Sequence, residues 1–142
     1  KGLSAPVGSM LAGPRDFIDQ ARRVRKALGG GMRQAGVLAA PGIIALNEMT
    51  GRLGEDHARA KTLAKAISGR PGVGLDPGEV ETNIIIFGFS HPRLSVPEFL
   101  SKLGKRRVLA LATSAGIRFV THKDIDDEDI DRAIAAFKEI LS

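Results

Sequence analysis

Three consecutive glycines, Gly29-Gly30-Gly31, constrain this chain more than any other feature. Glycine has the widest backbone freedom of any residue and brings no side chain to a core, so a helix does not run through three of them. The run therefore separates two helical patterns. Before it, Phe17, Ile18, Ala21, Val24 and Leu28 recur at helical spacing and predict a helix over residues 15–28. The polar face of that helix would carry Arg22, Arg23, Arg25 and Lys26. Behind the glycines, residues 34–49 read as a second, alanine-rich helix. Pro41 falls inside it, where its ring opposes the carbonyl of Val37 and a donor is lost, so a kink or a later start is expected. Residues 6–12, ahead of the first helix, read as a short apolar strand or turn.

The pattern changes near residue 50. Leu53, His57, Ala60, Ala64 and Ile67 predict a third helix over residues 51–68. Glu55 and Asp56 lie in its first turn, where negative charge suits the helix dipole, and Gly69 is a plausible stop. Residues 83–89, NIIIFGF, predict a buried strand. A short helix follows over residues 95–103, with Pro97 tolerated in its first turn. Residues 108–112 and 117–121 flank Thr113-Ser114-Ala115-Gly116 and predict a hairpin. In the last helix, residues 127–141, Ile130, Ile134, Phe137 and Leu141 form one stripe behind an acidic start. No internal repeat is visible. The expected class is α/β: a mostly helical first third, then a compact α+β unit, with the boundary between residues 49 and 54.

Composition narrows the function classes. Apolar residues make up 43% and charged residues 26%, as in an ordinary globular protein. No apolar run approaches the roughly 20 residues that span a bilayer, and KGLSAPVGSM lacks the apolar stretch of a signal peptide. With no cysteine there are no disulfides or thiolate metal sites, and a cytoplasmic location fits. The net charge of +5 is concentrated between Arg15 and Arg33 and could attract nucleic acid, lipid or a small anion. Six Phe without Tyr or Trp argue against base stacking, and neither a nucleic-acid nor a membrane partner is expected. Lys1-Gly2-Leu3 opens without an initiator methionine, so the chain is expected to be a piece of a longer protein.

A few residues could carry chemistry. Lys1 could form a Schiff base with a carbonyl cofactor if a desolvated pocket or a cationic neighbour kept it neutral; Lys-Gly alone reads as an ordinary solvated lysine. The run Arg22-Arg23-Val24-Arg25-Lys26 reads as the wet face of a helix or as a phosphate-binding surface. The segment Gly29-Gly30-Gly31-Met32-Arg33-Gln34-Ala35-Gly36 opens onto a helix and could cradle an anion with backbone amides, although it matches neither a P-loop nor a dinucleotide fingerprint. Strand alternation puts Arg118, Val120 and His122 on one face and Ile117, Phe119 and Thr121 on the other. Arg118 then needs an anion, either a ligand carboxylate or one of the Asp residues at 124–129. His57, His91 and His122 lack metal-ligand spacing, and no metal site is expected.

Three segments together resemble the threonine aldolase family: Lys1-Gly2-Leu3-Ser4-Ala5-Pro6-Val7-Gly8-Ser9, the run from Arg25 through Gly29-Gly30-Gly31-Met32-Arg33 to Gly36, and Ile117-Arg118-Phe119-Val120-Thr121-His122. They occur in the family's order and at about its spacing, over essentially the whole chain. The resemblance implies the C-terminal portion of a type I pyridoxal-phosphate enzyme. Residues 1–50 would be the end of the large cofactor-binding domain with interface helices, and residues 51–142 the small C-terminal α+β domain. It implies aldol cleavage of L-threonine or L-allo-threonine to glycine and acetaldehyde, with pyridoxal 5'-phosphate as cofactor.

Residue by residue, the resemblance puts Lys1 on the lysine that holds the cofactor and Arg118 on the arginine that binds the substrate carboxylate. Lys26 and Arg33 fall on basic residues that approach the site of a neighbouring subunit, Arg33 toward the cofactor and Lys26 toward the amino-acid substrate. A homo-oligomer is implied, a tetramer or dimer of dimers. The remaining cofactor contacts of the family precede the lysine, so the missing N-terminal half is an expected partner and this segment alone is expected to be inactive. Pro41 departs from the small residue expected there. The alternatives are another type I pyridoxal-phosphate lyase performing β-elimination, or a basic nucleic-acid-binding module using residues 22–26.

Overall fold

Helix α1 (Arg15–Ala27) begins directly after Pro14 and ends where the glycines begin. Gly29 takes φ of 84°, a left-handed backbone that costs glycine little. The Gly30 N–H donates to the Arg25 carbonyl at 2.8 Å and the Gly29 N–H to the Lys26 carbonyl at 3.2 Å. This pair of bonds closes a helix end whose next residue is left-handed, and it satisfies two carbonyls that the helix leaves open. Helix α2 (Gly36–Glu48) starts before Pro41 rather than after it. The proline is accommodated inside the helix, and the Val37 carbonyl forgoes its usual donor.

The structure, a computed structural model, describes residues 2–142 and divides the chain into two compact units, Lys1–Gly51 and Arg52–Ser142. In the first unit, residues 7–12 form no strand, contrary to one reading of their apolar sequence; the chain bends at Pro6 and then runs irregularly and exposed to α1. Among the described residues, no strand pairs with this segment. Among the described residues of this unit only Ala45 is buried, while Phe17, Val24, Leu28, Val37, Ile43, Ile44 and Leu46 all stay exposed.

The second unit holds a packed core. Helix α3 (Leu53–Ile67) is followed by a two-residue edge strand β1 (Val73–Gly74) and by β2 (Ile84–Phe89). Helix α4 (Val96–Lys105), strands β3 (Leu111–Thr113) and β4 (Gly116–Val120), and helix α5 (Asp127–Ile140) complete it. The strands form one antiparallel sheet in the order β1-β2-β4-β3. Ile85 and Phe87 of β2 pair with Phe119 and Ile117 of β4, and these four pack into a core with Ala60, Leu63 and Ile67 of α3, Phe99 and Leu103 of α4, and Ile130 and Phe137 of α5. Phe137 is the hub, its ring 5.3 Å from Phe99, 5.7 Å from Phe119 and 6.0 Å from Phe87.

Strand β2 is half-buried rather than fully buried. Its burial alternates, and Ile86 is 43% exposed. An antiparallel sheet covered on one face gives this pattern, whereas two covered faces would have hidden every residue.

Candidate functional site

Arg118 sits in the middle of the open face of this sheet. The register places it directly opposite Ile86 on β2 and Leu111 on β3, so a row Ile86–Arg118–Leu111 crosses three strands. The next row on the same face pairs Ile84 with Val120. A half-buried guanidinium therefore stands among aliphatic side chains.

No acid of this unit neutralises it. The aspartates at 124–129 that could have paired with Arg118 are engaged elsewhere. Asp124 accepts from Lys123 at 2.9 Å, Asp127 accepts from Arg59 at 2.7 Å, and Asp129 pairs with Arg132. Asp126 accepts from the Asp129 backbone N–H at 2.9 Å. The Lys123 ammonium beside Asp124 holds that carboxyl below its ordinary range, and the Asp126 backbone bond followed by the Arg132 contact does the same for Asp129. Among the described residues, the Arg118 guanidinium makes no ion pair and no side-chain hydrogen bond. The structural ion pair that the sequence left open for Arg118 is thus not formed.

The strand that carries Arg118 is held firmly. Thr121, 3% exposed, donates its hydroxyl to the Asp56 carbonyl at 2.7 Å, and its N–H donates to the Asn83 carbonyl at 2.9 Å. Asn83 Nδ2 donates back to the Thr121 carbonyl at 2.7 Å. Asp56 is itself buried and takes both Arg52 guanidinium nitrogens, at 3.0 and 2.9 Å. Such anchoring holds the end of the strand that carries Arg118 against α3 and β2.

Lys26 and Arg33 belong to the first unit. Lys26 lies at the end of α1, exposed, and its side chain folds over the glycine run: Nζ stands 3.0 Å from where a Cβ of residue 31 would be. The Arg25 side chain lies likewise over Gly30, with Cγ 2.7 Å from a Cβ position there. Arg33 is exposed in the turn that leads into α2. The loop is therefore free of its own side chains and overhung by basic ones. Of the neighbouring basic run, Arg22 faces Asp19 at 3.6 Å. Lys1 lies outside the described residues.

His57 is half-buried on α3, His91 stacks on Phe89 with ring centroids 6.2 Å apart, and His122 accepts from the Asp124 backbone N–H at 3.3 Å. Among the described residues no group of three or more His, Asp or Glu could hold a metal ion, and no helix is long and apolar enough to cross a membrane. The sequence pattern exposes Arg118 but not its flanks. Ile86 and Leu111 lie 32 and 7 positions away, and only the strand register brings them alongside.

Residues 1–89 match the family model described as beta-eliminating lyase. Over 99% of its length the chain is 38% identical to low-specificity L-threonine aldolase 1 of Arabidopsis thaliana, covering 40% of that protein. It is 37% identical over its full length to the low specificity L-threonine aldolase of Escherichia coli strain K12, covering 41% of it. It is also 34% identical to the alanine racemase TOXG of Cochliobolus carbonum, over 99% of this chain and 37% of the racemase. The chain thus spans about 40% of the length of the curated relatives it matches.

Proposed function

The chain belongs to the beta-eliminating lyase family, and from that premise we propose that it is the C-terminal part of a cytoplasmic threonine aldolase. That enzyme cleaves L-threonine or L-allo-threonine to glycine and acetaldehyde. The family is pyridoxal-phosphate-dependent. The observation that carries the reading is the Arg118 guanidinium, half-buried in an aliphatic row and lacking an acidic partner among the described residues. A planar fork without an acidic partner suits a carboxylate, which accepts two parallel hydrogen bonds.

The residues present fit an anionic cofactor. The basic side chains of Arg25 and Lys26 lie over the glycine loop, with the exposed Arg33 beyond it, and this cluster of positive charge suits a phosphate on an adjacent subunit of a homo-oligomeric dimer or tetramer. Lys1 is assigned to hold the cofactor covalently. When bound, pyridoxal phosphate supplies an electron sink for the bond that breaks. Arg118 holds the substrate carboxylate at two points and so fixes the rotation about the Cα–carboxylate axis. The aliphatic side chains of Ile86 and Leu111 flank that pair across the sheet. Orientation of this kind is worth several kcal/mol to the barrier. Residues 1–50 would complete the large domain and the subunit interface, and residues 51–142 would form the small domain that carries the carboxylate anchor.

The test is a product assay on the full-length protein with L-threonine. Glycine and acetaldehyde are expected. Ammonia and an oxo acid would instead support β-elimination, the chemistry in the family's description. In the same protein, Lys1→Ala should abolish the cofactor's near-visible absorbance, and Arg118→Lys should raise KM by about tenfold or more. Unchanged absorbance in the first variant, or an unchanged KM in the second, would remove the corresponding residue from the site.

A further inference from the structure

We draw no further inference here: the strongest candidate, the cavity of about 110 Å³ between α3, β4 and α5 that Leu63, Phe119, Ile130 and Ala133 line with the exposed Arg107 beside them, opens to solvent, and nothing in the structure points to a ligand that would fill it.

Discussion

Arg107 holds a backbone that its side chain disfavours. At φ of 62° it occupies the position after the cap of α4, with its N–H on the Gly104 carbonyl at 2.9 Å and the Val108 N–H on the Leu103 carbonyl at 3.1 Å. This is the same closure that Gly29 makes after α1, with arginine in the place of glycine, while Val108 and Leu103 supply the buried apolar contact that accompanies it. Arg107→Gly is expected to raise stability by about 1 kcal/mol, read as a higher urea midpoint at unchanged slope. Asp56 makes the opposite case. Its place in the first turn of α3 reads as a dipole complement on the surface, yet it is 1% exposed and grips Arg52 with both oxygens. Nothing in helical periodicity distinguishes those two situations. The difference comes from Thr121, whose hydroxyl reaches the Asp56 carbonyl and draws that turn against β4. Asp56→Ala should therefore cost about 2 kcal/mol by the same denaturation measurement.

At the scale of elements, the helices and the β3–β4 hairpin were legible and the edge strand β1 was not. Repeats of 3.6 residues mark α1, α3 and α5, and their observed bounds fall within a few residues of the pattern. The two residues of β1 are too few for any period to register, and that strand exists only because β2 offers an edge to pair with. The face that Arg118 shares with Val120 was likewise legible from alternation along β4, whereas its apolar row follows from register, which is a tertiary property. Helix α4 adds a pH-dependent device. Glu98 accepts from the Ser95 hydroxyl at 2.5 Å and from the Ser95 N–H at 2.9 Å, and these bonds, the hydroxyl first, hold its carboxyl below the ordinary range. A carboxyl lowered on folding stabilises the fold above its unfolded-state value, and that contribution is lost as pH falls through the lowered one. NMR titration should find Glu98 below a glutamate in an unstructured peptide, and Ser95→Ala should return it upward. A titration identical in both proteins would refute the capping role.

At the scale of the whole molecule, apolar burial is unequal. All residues of the core cluster, from Ala60 to Leu141, lie in the unit Arg52–Ser142, and five of the six phenylalanines belong to it. The unit Lys1–Gly51 has two well-formed helices but leaves their large apolar side chains exposed. Helices of 13 residues are marginal in water without tertiary packing, so the second unit has the means to fold by itself and the first does not. Expressed alone, residues 52–142 should unfold in a single cooperative thermal transition, while residues 1–51 should melt gradually. Within residues 52–142, Phe137→Ala should lower stability by about 3–5 kcal/mol, because the ring joins the strands to α4 and α5 at one point. A broad transition for residues 52–142 would mean that the aromatic core needs help from outside. A sharp one would mean that the Arg118 row is built on a scaffold that stands by itself, leaving its open face free to meet a ligand.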